Sequence, residues 1–197
     1  MNYKKIEIVP YNPEWPQWFE LVKTKFNEYL GPLALSIDHI GSTAVPGLGA
    51  KNRIDIQITL QDLTPKTKNS IDAALQASGL GETVFSEDHR PPLDIYSNEH
   101  WIKFFFSFLF EAPNCSFDTN IHFRVKGKAN QIYALLFRDY LRSHPSTSAG
   151  YQKLKEKLAE YHPQTIQAYC DIKDSACDMI MSAAQEWANQ VSWSPAA

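Results

Sequence analysis

The stretch DHIGSTAVPGLGAKNRIDIQITL, Asp38–Leu60, decides how this chain folds. Two β-type runs flank a loop that carries three glycines, a proline and two basic residues. The second run, Arg53–Leu60, alternates apolar and polar positions, so Asp55 and Gln57 share one face of a strand. Glycine lets an anion approach the backbone, and Ser42 and Thr43 add hydroxyl donors. Lys51 and Arg53 add positive charge beyond the loop. The loop Gly41–Lys51 is therefore expected to bind an anion through backbone amides, with a tight ligand-free turn as the alternative. It is not a Walker loop, because GxxxxGK[ST] is absent.

Upstream, Trp15, Trp18, Phe19, Val22, Phe26 and Tyr29 recur at steps of three and four, which predicts an amphipathic helix stopped by Gly31. Leu33–Ile40 reads as the first strand. Downstream, Thr64 is a candidate N-cap, Pro65 the first helical residue and Gly79 the end of a second helix. A loop-rich segment, SEDHRPPLDIYSNEH, separates this helix from two further strands, WIKFFFSFLF and TNIHFRVKG. EAPNCSFD between them reads as a turn or longer loop. The rest is helical from about residue 129, broken at Pro145 and Pro163. The tail VSWSPAA is expected to fray. These elements predict one α+β domain over residues 1–197, a small mixed sheet flanked by helices with a helical C-terminal third.

The 197 residues are 44% hydrophobic and 21% charged, with a net charge of −3, which disfavours nucleic-acid binding by bulk charge. Three cysteines without a CxxC argue against a disulfide framework or a cysteine zinc site. No signal-peptide core is seen, and the longest apolar run, Phe104–Phe110, is far too short to span a bilayer. The expectation is a soluble cytoplasmic protein with no membrane partner.

An apolar residue, Gly-Ser, twelve residues, then Asp-apolar-X-apolar resembles the signature of polymerase-β-like nucleotidyltransferases. YNPEWPQWF, IDHIGSTAVPGLGAKNRIDI, IHFRV, LLFRDYLRSHP and YQKLKEKLAE, in that order, resemble one branch, the GrpB family, from about Ile6 to Ile180. The resemblance implies a nucleotidyltransferase-like fold in which Gly41 and Ser42 hold an activated nucleotide and Asp55 binds Mg²⁺. Gln57 stands where such a fold carries a second acid, so one metal or none is expected. The family's Lys-Pro-Ile-Ile-Asp-Ile is here KNRIDI, and its later strand has two histidines where this chain has Asn120 and His122. Members also occur fused to dephospho-CoA kinase.

The candidate catalytic residues are Asp55 and His122. Asp55 would be a base, an anchor for a cationic group, or a metal ligand, with Asp118 a second acid. His122 would be a base or a phosphate contact, with a satisfied core histidine as the alternative. Substrate or anion binding falls to Gly41, Ser42, Thr43, Lys51, Arg53, Gln57, Arg124, Arg138 and Lys173. For Arg138 and Lys173 a helix-surface ion pair and a solvated face are the alternatives. Asp94 and Glu111 are further free carboxylates. Three functions follow. One is group transfer from a small-molecule or nucleotide-type substrate. Another, implied by similarity to fungal enzymes, is synthesis of arginine-containing cyclodipeptides from aminoacyl-tRNA, with Lys51, Arg53, Lys126, Lys128, Arg138 and Arg142 as a local basic patch. The third is anion binding without catalysis.

Overall fold

The structure, a computed structural model, describes residues 5–92, 94–162 and 164–195. Helix α1 (Trp15–Leu30) is followed by β1 (Ser36–Ile40), β2 (Arg53–Leu60), α2 (Pro65–Ala77) and β3 (Val84–Glu87). Then come β4 (Ile102–Ala112), β5 (Cys115–Val125), α3 (Ala129–Ser143), α4 (Pro145–Tyr161) and α5 (Ile166–Val191). Among the described residues the strands form one mixed sheet in the order β1-β2-β5-β4-β3, with β2 and β5 parallel and the other pairs antiparallel. The α+β class and the helical C-terminal third stand as expected. No described helix is long and apolar enough to cross a membrane.

Several boundaries differ from the sequence reading. Gly31, at φ 49°, ends α1 and starts a 3-10 turn through Leu33, so β1 begins at Ser36 and not at Leu33. Thr64 caps α2 by accepting the Thr67 amide, as its position predicts. The EAPNCSFD segment is no loop. Ala112 pairs with Cys115 across a tight turn, and Asp118 lies inside β5, opposite Arg53. The short edge strand β3 emerges from what reads as loop. Pro145 opens α4; the break expected at Pro163 lies outside the described residues. The tail is tied down at Trp193, whose indole donates to Asp139 Oδ2 at 3.2 Å.

The two faces of the sheet have different chemistry, and this positions the site. Ile54, Ile56, Ile58, Leu60, Ile121, Phe123, Phe104 and Phe106 pack against Trp15, Phe19, Val22 and Phe26 of α1 and Ile71 and Leu75 of α2. Burial of this apolar layer drives folding at about 25 cal/mol per Å². The opposite face carries Asp55 and Gln57 on β2, Asn120, His122 and Arg124 on β5, and Lys103 on β4. The C-terminal helices form a second core with the glycine loop, through Val45, Leu48, Leu136, Tyr151, Cys177 and Met181. A polar sheet face thus meets a helical bundle that has an apolar centre of its own. The space between them is a cavity.

Candidate functional site

The cavity encloses about 290 Å³ between the glycine loop, β2, β5 and α3–α5. Gly41, Ser42, Thr43, Lys51, Arg53, Asp55, His122, Arg124 and Lys173 all line it. Asp55 and His122 lie on adjacent parallel strands, offset by two residues in the register, and face the same space.

Asp55 Oδ1 accepts a hydrogen bond from Asn120 Nδ2 at 2.8 Å and lies 3.8 Å from His122 Nε2. Burial pushes the Asp55 carboxyl up, but His122, Asn120 and Lys51 outweigh it and hold the pKa at about 2. Asp55 is therefore a permanent carboxylate near neutrality. His122 is held neutral. Burial, aided by the charges of Arg124 and Lys103, lowers its pKa to about 4 against the pull of Asp55. Its Nδ1 lies 3.0 Å from Lys103 Nζ and 3.4 Å from Arg124 Nη2. Both neighbours only donate, so Nδ1 accepts and the ring proton sits on Nε2, toward Asp55. The Nδ1 lone pair is thereby engaged, so His122 can act as a general base only when these contacts open.

Gln57 does not reach the cavity. It is fully buried, donates to Gln131 O at 3.2 Å and accepts from Arg124 Nη1 at 2.8 Å. The expectation that it contacts substrate is corrected. α3 covers this part of the sheet face, and Gln57 serves to fix Arg124. Arg138 is also outside the cavity. Its Nη1 donates to His39 O at 3.1 Å and its Nε to Asp139 at 2.7 Å. Arg142 donates through Nε and Nη2 to Ala44 O. The two arginines of FRDYLR thus hold the carbonyls on either side of the Gly-Ser turn from behind. They position the loop. Lys128 likewise pairs with Glu99. Asp94 is engaged by Arg90 and by the Trp101 indole.

The loop itself is narrower as an anion site than its sequence suggests. The Ala44 and Val45 amides bond back to Gly41 O and Ser42 O, the Gly49 amide to Gln152, and the Ala50 amide to Val9 O. Of the loop, Gly41–Thr43 at its start and Ala50 and Lys51 at its end face the cavity. Gly41 has φ 71° and ψ −170°, a conformation open essentially to glycine alone. A Cβ there would sit 2.7 Å from Asp55 Oδ2. Gly41→Val is therefore expected to strain the fold as well as the site. It should cost about 2–3 kcal/mol of stability in urea denaturation and displace the Asp55 carboxylate. A variant as stable as the parent would contradict this close approach.

Four features of the site were not read from the sequence. Asp88, in the segment between β3 and β4, accepts from Arg124 Nε and Nη2 at 2.8 Å each, from Asn130 Nδ2 at 3.0 Å, and from Lys103 Nζ. Lys155 of α4 donates to Ser42 Oγ at 2.8 Å and to Gly49 O at 2.6 Å. Tyr133, Phe137, Tyr151 and Trp101 build an aromatic wall. Asn120 Oδ1, Asn130 Oδ1 and Tyr133 OH are buried without a hydrogen-bond partner, and all three residues line the cavity. Signals existed for two of these. Lys103 interrupts an aromatic strand and so calls for an acid, and Lys155 stands in the YQKLKEKLAE segment.

The residues do not fit a resident Mg²⁺, which takes hard oxygens in a near-octahedral array. Asp55 and Asn120 Oδ1 offer oxygens to the cavity, but Asp88 is saturated by cations and Asp174 pairs with Lys173. Lys51, Lys155 and Lys173 line the same space. Among the described residues, no group of three or more His, Cys, Asp or Glu side chains is placed to hold a metal.

The comparisons with known proteins converge. The chain is 33% identical over 179 residues to a UPF0157 protein of Halalkalibacterium halodurans, covering 91% of this chain and 82% of that one. It is 30% identical over 199 residues to a dephospho-CoA kinase of Mycolicibacterium paratuberculosis, covering 96% of this chain. It spans about half the length of such relatives, 48% of that kinase and 48% of the UPF0157 protein YqkA of Bacillus subtilis. The crystal structure of the conserved protein GrpB from Enterococcus faecalis has the same fold, with a TM-score of 0.68 at 23% identity, over 92% of this chain and 99% of that one. The family model described as GrpB protein matches residues 5–183, and the chain belongs to the GrpB family, with its nucleotidyltransferase-like fold.

Proposed function

We propose that the protein is a group-transfer enzyme that acts on a small activated substrate bearing an anionic group. The anionic part rests against Gly41–Thr43, Lys51 and Lys173. Asp55, ionised at all physiological pH, attracts a cationic group or aligns the attacking nucleophile. It does not shuttle a proton, because a carboxyl with a pKa of about 2 is a poor base near pH 7. The observation that supports this reading is the convergence of one unpaired-acid strand, the glycine-serine turn and several lysines on a single cavity.

The test is a screen of activated donors, nucleoside triphosphates and aminoacyl-tRNA among them, run with parent and Asp55→Asn in the presence and absence of EDTA. Asp55→Asn is nearly isosteric and keeps an oxygen for Asn120, so it should fold. Its turnover should fall about 10²–10³-fold, the size of a lost electrostatic contact. Parent activity should survive EDTA. Strict Mg²⁺ dependence, or full activity in Asp55→Asn, would overturn the reading. A second reading, acyl transfer from aminoacyl-tRNA, is favoured by the lone acid, since ester aminolysis needs no metal cage. It requires turnover with aminoacyl-tRNA and none with nucleoside triphosphates.

A further inference from the structure

The group-transfer reading leaves one group in the cavity without a task. Lys155 reaches from α4 into the glycine loop and is 3% exposed. Its Nζ ties Ser42 Oγ, at 2.8 Å, to Gly49 O, at 2.6 Å. It lies 4.8 Å from the centre of the Tyr151 ring. Among the described residues, no carboxylate is hydrogen-bonded to it. Glu156, the next residue, bonds Gln152 and still acts on Lys155 through its charge. Lys51 from the loop and Lys173 from α5 face it as cations, and Cys177, Tyr169 and Asp174 of α5, the last paired with Lys173, line the same cavity. A buried amine among cations, with two acceptors satisfied, has capacity for one more interaction, directed at whatever fills the cavity.

We propose that Lys155 is a phosphate-binding residue of this site, one that gains a proton as a dianionic group seats against Ser42. This rests on the proposed group-transfer function and deepens it, because it selects a phosphate-bearing substrate over a neutral or singly charged one. Burial lowers the Lys155 pKa to about 7 against the opposing pull of Cys177 and Glu156, with Lys173 and Lys51 adding to the lowering. An incoming dianion reverses that by supplying the missing counter-charge. The proton taken up comes from solvent and stays on Nζ while the dianion is bound. Asp55 and His122, titrating near 2 and 4, do not exchange protons in this range.

The experiment is calorimetry with inorganic pyrophosphate as the probe, in buffers of different ionisation enthalpy. Parent protein is expected to take up about half a proton per site more than Lys155→Arg at pH 7 and about nine-tenths more at pH 8, as follows from a midpoint near 7 that rises well above 8 on binding. Lys155→Arg keeps the charge but cannot lose it, so the proton change of pyrophosphate itself is common to both proteins and the uptake by Lys155 is read as their difference. Competitive acetylation of unliganded parent, read by peptide mass mapping, should give Lys155 a midpoint near 7 that pyrophosphate raises. This readout does not depend on any variant folding. Failure of the parent to bind pyrophosphate would overturn both the function and this proposal. Binding with no proton uptake beyond that of Lys155→Arg, or an acetylation midpoint near the ordinary lysine value, would overturn the Lys155 proposal alone.

Discussion

Asp88→Ala is expected to destabilise the protein by about 3–5 kcal/mol, the cost of stranding buried charge. Among the described residues, the Asp88 carboxylate is the one anion in direct contact with both Lys103 and Arg124, whose residues are 7% and 6% exposed. Burial works against its charge, but Arg124 and Lys103 hold its carboxyl well below the usual carboxylate range. Take away the carboxylate, and two cations lie beside the neutral His122 with nothing to balance them. Asn130 loses an acceptor as well. The loss reaches across β2, β5, β4 and α3, because Arg124 is also bonded to Gln57 and Gln57 to Gln131 O.

The pH dependence has a defined sign. The carboxyl binds its proton less readily folded than unfolded. Its contribution is therefore complete above the unfolded value of about 4 and is lost progressively as pH falls from there toward the lower folded value. Parent and Asp88→Ala should differ most at pH 6–7 and by less at pH 3. Urea unfolding of both at pH 7 and pH 3 checks this. A difference under about 1 kcal/mol at pH 7 would mean that the cations find other partners.

How far the site was legible follows from what a pattern carries. Period-two alternation correctly placed Asp55 and Gln57 on one face, because that is a property of extended backbone. It did not carry depth. Asp55 opens into the cavity while Gln57, two residues on, lies beneath α3. The difference is made by a helix some seventy residues later in the chain. The same limit explains Arg138. Helical spacing puts it on an inward face, but whether that face meets the cavity or the back of the loop depends on packing with β1.

Asp88 was missed for another reason. β3 has four residues, too short for periodicity to register, and Asp88 follows it directly. Its significance comes from the lysine and arginine that cross-strand pairing brings opposite. The turn at Gly41 was legible because its conformation is dictated locally. The amide accounting of the loop was not, since Val9 and Gln152 reach it from far along the chain.

Lys155→Met should make the protein more stable at pH 7 by about 2 kcal/mol, while abolishing the Lys155 share of pyrophosphate-linked proton uptake. An unfolded lysine titrates near 10.4, and Lys155 in the fold near 7. Each pH unit of that gap is worth about 1.4 kcal/mol, so at or below pH 7 the fold carries a cost of about 4–5 kcal/mol for this amine. Methionine has similar length and no proton to lose. It strands the Gly49 carbonyl, which offsets about 1–3 kcal/mol of the gain. The sign with pH again follows from where the protons sit. Between about 7 and 10 the unfolded chain holds a proton on Lys155 that the native protein does not, so parent stability rises with pH across this window. The variant lacks that rise, and its advantage over the parent shrinks steadily toward pH 10. Thermal unfolding from pH 6 to pH 10 is the measurement. If Lys155→Met is less stable at pH 7, or the two profiles run parallel, then Lys155 is an ordinary structural lysine charged throughout. The positive outcome would say that the fold tolerates an unstable amine at the one position where the glycine loop, α4 and the cavity meet. That is the pattern of a residue retained for its chemistry at the expense of stability.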